Sequence, residues 1–250
     1  MASKKTEVAT RKTAELMDPS MFEHDAGKGM ENADKDSYAI PFLVVLQGLS
    51  PQLDTVKGAK PGLICNTITE EIYDEVRVIP CAFQRKYLRW TPREAGGGYK
   101  GSYKPFDVDS GEVAYDVNDD GTLVMENGDH LKDTREHYVL VEGSNGSWYP
   151  AVLSLTSTQI KKSKRWMSLI GGIEMEGANG TFTPPSFSHM YTLTTEKEEN
   201  AKGSWWSVKI SKPEAITDLD LYHRAGKFNA QVNEGEVKTQ EPEEEAATGF

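Results

Sequence analysis

The run EVRVIPCAFQRKYLRW, Glu75 to Trp90, alternates side chains over a length that suits only an extended strand, and Pro80 interrupts it. Proline removes a ladder donor, so the run predicts one long strand with a bulge or bend at Pro80. Downstream of Val76, the residues Val78, Pro80, Ala82, Gln84, Lys86, Leu88 and Trp90 would face one way. Arg77, Ile79, Cys81, Phe83, Arg85, Tyr87 and Arg89 would face the other, and a slip at the bulge would exchange the two sets.

A strand of that length needs antiparallel partners, and the chain offers several. From Pro61 the period is already two in GLICNTIT. Further on, VAYDVNDDGTLVM reads as a small hairpin turning at Asp120-Gly121, and HYVLVEG with WYPAVLSLT as a second hairpin across Ser144 to Ser147. A helix is predicted from Ser157 to Ile170, ended by Gly171-Gly172, and two strands follow, FSHMYTLTT and SWWSVKI. Earlier, YAIPFLVVLQGLSPQL is apolar enough for core, yet Pro41 and Pro51 point to an edge strand or an extended segment across the barrel. The order strand, strand, insertion, strand, strand, helix, strand, strand fits a mainly β fold: an OB-like Greek-key barrel with one internal helix, long loop insertions and disordered termini.

Residues 1–36 are charged and aperiodic, and are expected to be a flexible arm with one short helix near Thr13 to Met17. Residues 37–230 would form the barrel domain. Residues 231–250 hold six acids against Lys238 and end in Phe250, too polar to bury a core, so a disordered acidic tail is expected. An aromatic ring at the tip of such a tail suits a hook for a partner.

Net charge is −11, which taken alone argues against nucleic acid. Positive charge is nevertheless concentrated. Between Phe83 and Lys104 the cations Arg85, Lys86, Arg89, Arg93, Lys100 and Lys104 stand against the single acid Glu94, interleaved with Tyr87, Trp90, Tyr99 and Tyr103. A second cluster, Lys161, Lys162, Lys164 and Arg165, runs into Trp166, and no acid occurs from Ser157 to Ile170. On a helix, Trp166, Met167 and Ile170 would pack while those cations form the opposite face. Cations that track phosphates, alternating with rings on which bases stack, are what a sequence-tolerant single-strand binder requires. The adjacent Trp205 and Trp206 would place one further ring outward.

Catalytic and metal chemistry find no support. Asp116 to Gly121 matches half of a calcium loop, but the position that must be a bidentate Glu is Asn127, so a plain Asp-Gly turn is expected. Gly96-Gly97-Gly98-Tyr99-Lys100-Gly101-Ser102 lacks the Walker spacing and suits a loop closing over a polynucleotide backbone. His24, His130, His137, His189 and His223 share no ligand spacing, and no cofactor is implied. Cys65 and Cys81 read as buried free thiols, which fits a reducing cytoplasm; the opening residues MASKKTEVATRKTAELM are polar and no run approaches eighteen apolar residues, so neither export nor membrane contact is expected.

With an OB-like barrel, a basic aromatic stretch and an acidic tail ending in an aromatic residue, the chain resembles the single-stranded DNA-binding proteins of bacteriophages. Phe250 matches that family's final ring and Glu241 to Glu245 its acidic run. Ala246 to Gly249 depart from the pattern by separating the acids from the ring. The resemblance implies a non-enzymatic cytoplasmic protein acting in DNA replication or recombination. Its single-stranded DNA would lie on Arg85, Tyr87, Arg89, Trp90, Arg93, Tyr99, Lys100, Tyr103, Lys104, Lys161, Lys162, Lys164, Arg165 and Trp166. The resemblance further implies that the tail, through Glu243, Glu244, Glu245 and Phe250, recruits phage replication proteins such as a polymerase or helicase. A homodimer is among the assemblies it allows. The competing classes are a virion or other assembly protein and an acidic DNA mimic.

Overall fold

The structure, a computed structural model, describes residues 18, 20–33, 37–201, 203–237 and 239. The helix expected over 13–17 and the tail residues Glu243, Glu244, Glu245 and Phe250 lie outside the described residues. In chain order the elements are α1 (Ser20–Glu23), β1 (Phe42–Val45), α2 (Gln52–Thr55), β2 (Ile64–Asn66), β3 (Ile72–Tyr73), β4 (Val76–Trp90) and β5 (Tyr99–Tyr103). There follow α3 (Pro105–Asp109), β6 (Asp116–Val117), β7 (Leu123–Val124), β8 (His130–Glu142), β9 (Trp148–Thr156), α4 (Ile160–Gly171), β10 (Met175–Gly177) and β11 (Gly180–Phe182). The chain continues with β12 (His189–Asn200), β13 (Gly203–Ile210), β14 (Glu214–Ala215) and α5 (Leu219–Asn233).

The molecule is mainly β. One twelve-stranded sheet has the spine β13-β12-β4-β8-β9-β1-β2-β3 and curls into a half-barrel. All its neighbours are antiparallel except β1 and β9. Two glutamines bridge the open side. The Gln47 side chain donates to the Trp206 carbonyl and accepts from its N–H, each at 2.9 Å, and Gln159 repeats the pattern with the Trp206 carbonyl and the Val208 N–H at 3.2 Å. Side-chain amides here take the place of a neighbouring strand, as buried backbone groups demand. Gly62 lets this seam close, because a Cβ there would lie 2.8 Å from the Trp206 ring.

The bulge predicted at Pro80 is present. Pro80 pairs with Val139 and Ala82 with Tyr138, which leaves Cys81 unopposed. It exchanges the faces, so Val76 and Val78 share the inner face with Phe83, Arg85 and Tyr87 downstream, while Ile79 shares the outer face with Ala82 and Lys86. The inner core contains Val78, Val139, Leu153, Tyr191, Leu193 and Val208, and α4 plugs its end with Trp166 and Ile170. The outer face of β4, β8, β9 and β1 is covered by α5 through Ala225, Phe228 and Val232. Asp218 starts that helix by accepting from the N–H groups of Asp220 and Leu221.

Three expectations need correction. The segment around Phe42–Val45 is no edge strand, since it pairs with β9 on one side and β2 on the other. It can do so because Pro41 ends before the strand and Pro51 falls at the start of α2, so neither removes a ladder donor. α5 was not anticipated, and it carries regular structure across the expected boundary at residue 231 as far as Asn233. Trp205 and Trp206 present no free outward ring: Trp205 is 7% exposed and donates to Ser207, and Trp206 lies on Gly62. Both cysteines are free and buried, and burial pushes the Cys65 thiol up to about 11 and Cys81 to about 12. Among the described residues no helix is long and apolar enough to cross a membrane.

Candidate nucleic-acid interface

Beyond the bulge, β4 and β8 run on together from Ala82–Tyr138 to Trp90–His130; β9 stays paired with β8 as far as Thr134, and from Tyr87–Asp133 onward the pair extends past the barrel as a ribbon. β5 pairs with β4 and β7 with β8, widening the ribbon into a wing. A small core of Tyr87, Val108 and Leu131, with Tyr103, Val113, Leu123 and Met125 against it, gives the wing apolar support. The turn at Asp120-Gly121 joins β6 to β7 as expected, with Gly121 at φ +87°.

The basic stretch loses most of its free charge in this setting. Arg85 pairs with Asp109 at 2.7 Å and with Asp133 at 3.1 Å. Lys86 pairs with the buried Glu136 at 2.7 Å, and Arg89 with the buried Asp129. The hydrogen bond to Asp133 holds the Arg85 guanidinium above its ordinary pKa, and burial opposes it. These partners come from β8 and from residues 105–129, which hold eight carboxylates and no Lys or Arg. A phosphate would have to displace a carboxylate from each of Arg85, Lys86 and Arg89.

The rings behave similarly. Tyr87 is 5% exposed and its hydroxyl donates to Asp109 at 3.0 Å. Tyr103 accepts from Arg89 at 3.2 Å. Trp90 and Tyr99 are half-buried and pack on each other at 5.6 Å and 58°. Lys100 and Lys104 are exposed and have no ion-pair partner among the described residues. Arg93 opens the 3-10 turn Arg93–Ala95 at the head of the β4–β5 loop, and Gly96, Gly97 and Gly98 follow at positive φ. The glycine loop is therefore the turn of an ordered hairpin.

On α4 the expected amphipathic split holds, but Trp166 belongs to the core. It is 0% exposed, stacks on His137 at 4.6 Å and meets Tyr191 edge-on at 5.6 Å, with Phe83 extending the row 5.1 Å from His137. His137 also shares a 2.8 Å hydrogen bond with Ser163. Burial, with Arg135 nearby, lowers its pKa to about 3. The acids missing from the helix come from β12: Lys161 pairs with Glu198, and Lys162 with Glu196 and Glu198. Burial opposes ionisation of Glu198, yet hydrogen bonds from Lys162, Ser207 and Lys161 bring its pKa to about 2. Lys164 and Arg165 stay exposed, with no ion-pair partner among the described residues.

Of the fourteen sequence-predicted contact residues, Lys100, Lys104, Lys164 and Arg165 thus combine exposure with the lack of an ion-pair partner among the described residues. The sequence reading passed over Phe106, which is 73% exposed immediately after Lys104 and Pro105. Its signal was an aromatic in a polar insertion with no alternating apolar neighbours.

A family model described as Pam3 phage gp34-like protein matches residues 8–238. No curated protein and no solved structure matches the chain.

Proposed function

We propose, for a chain that belongs to the Pam3 phage gp34-like protein family, that it binds single-stranded DNA without catalysis during phage replication or recombination. The observation that carries this reading is connectivity. β4 pairs with β8 and β12, β8 with β9, β12 with β13, and the one helix between β9 and β12 plugs the barrel. That order is compatible with an OB-like barrel in which β1 and β2 are inserted where the third and fifth strands would meet.

Such barrels take oligonucleotides on the face of their second and third strands and on the flanking loops. Here α5 covers the strand face, so contact falls on the long connection between β4 and β8 and on the outer side of α4. Lys100 and Lys104 on the first, and Lys164 and Arg165 on the second, supply phosphate contacts. The tail, with Glu243, Glu244, Glu245 and Phe250, is the proposed hook for a replication partner.

The test is fluorescence anisotropy of an oligo-dT and of a duplex of equal length across salt concentrations. Single-strand preference with log K falling against log salt is expected, and a duplex preference or salt-independent binding sinks the proposal. A second reading, a virion or assembly protein, is favoured by the acidic insertion, where Tyr115 and Val117 stand exposed among carboxylates. Absence of any oligonucleotide binding at low salt would select it.

A further inference from the structure

We infer that the Phe106 ring is the wing's base-stacking platform and that unpaired nucleobases are its ligand, an inference that rests on the single-strand reading above. Phe106 is the most exposed aromatic ring among the described residues, at 73%. Exposure alone says little, because single apolar residues on surfaces are common. Three further observations give it weight.

The first is support. α3 is a five-residue turn of helix that would not hold its shape alone, but it is fastened at its far end. Val108 is 2% exposed within the wing's small core. Asp109 accepts from Arg85 Nη1 at 2.7 Å and from the Tyr87 hydroxyl at 3.0 Å. The Phe106 carbonyl accepts from the Ser110 N–H at 2.9 Å, and that of Asp107 from the Val113 N–H at 2.9 Å. An exposed ring on a fixed support loses little freedom when a base stacks on it, which is what preorganised binding requires.

The second is the state of the neighbouring rings. Tyr87 is buried, Tyr103 packs against the wing's core, and Trp90 and Tyr99 are half-buried against each other, so Phe106 is the most exposed ring of the wing. The third is charge. Lys104, which caps α3, and Lys100 on β5 are exposed on the same segment, so cations for a backbone adjoin the ring for a base. Of the two carboxylates on α3, Asp107 and Asp109, the second is engaged by Arg85.

Wild-type protein, Phe106→Ala and Phe106→Trp are to be titrated against an oligo-dT and an abasic oligomer of equal length. A 2-aminopurine reporter is placed in a third strand. The expected result is a wild-type preference for the base-bearing strand that Phe106→Ala reduces about tenfold and Phe106→Trp retains, with abasic affinity unchanged in all three. The 2-aminopurine fluorescence change should vanish in Phe106→Ala. Wild-type protein that binds dT and abasic strands equally, or Phe106→Ala that keeps the wild-type preference, overturns this inference and leaves the single-strand reading standing. Wild-type protein that binds neither strand overturns both.

Discussion

Two halves of one strand pair, β4 with β8, do opposite things. Near the barrel, Val78, Ile79, Val139, Leu140 and Val141 are buried on both faces, beneath α5 outside and against β12 and β13 inside. Farther along, the same ladder is flanked by Arg85, Lys86, Arg89, Asp129, Asp133 and Glu136, and ion pairs stand beside only a small apolar core. Burial of apolar surface is roughly additive and hard to undo locally, whereas partly exposed ion pairs contribute little each. The barrel is therefore the stable part, and the wing is a surface that can carry charge and exposed rings without endangering it.

The largest expected effect breaks the barrel. Trp166→Ala empties a fully buried site between His137 and Tyr191 and should destabilise the protein by about 3–5 kcal/mol, measured by denaturant unfolding. A loss under about 1 kcal/mol would mean that α4 does not plug the core.

Comparable in size across its full range is a pH effect that arises in the same core. His137 is held neutral with its pKa lowered to about 3, while an unfolded His binds a proton near 6.5. Between those values the unfolded state carries the extra proton, so stability falls as pH drops from about 6.5 to 3, by about 1.4 kcal/mol per unit. Chemical denaturation at several pH values should show that slope, and His137→Phe should flatten it.

The wing should respond locally. Asp133→Asn leaves Arg85 without one of its two carboxylates and removes the partner of Arg135 at 3.1 Å, with an expected loss of about 1 kcal/mol. Hydrogen exchange should quicken across Arg85 to Trp90 and leave Val139 to Val141 protected. Equal loss of protection in both halves would show that the two regions unfold as one.

The smallest stability effect belongs to the proposed contact residues. Lys100→Glu with Lys104→Glu should alter stability by less than about 0.5 kcal/mol. It should nevertheless reduce the magnitude of the salt slope for single strands by roughly 1.4, at about 0.7 per phosphate contact. The Lys164→Glu, Arg165→Glu pair makes the equivalent test for α4, and an unchanged slope in both would remove these residues from the interface.

Much of this architecture could be read locally. Alternation marked β4, β8, β9, β12 and β13, the proline marked the bulge, and Asp-Gly and Asn-Gly marked two turns, because these signals depend on neighbours in the chain. α5 was legible too, with Asp218 as its cap and Leu221, Ala225, Phe228 and Val232 at helical spacing, although it was not recognised. The charge of the interface was not legible in this way. The stretch from Phe83 to Lys104 has one acid in sequence, but its strand lies beside β8 and the insertion, whose carboxylates lie more than twenty residues away along the chain. Composition and period determined by themselves that this chain would build a curled sheet of long strands with a helix between two of them. Which cations stay free, which rings are buried and which face α5 closes were decided only by the tertiary structure, because charge pairing and burial depend on distance in space and not on separation in sequence.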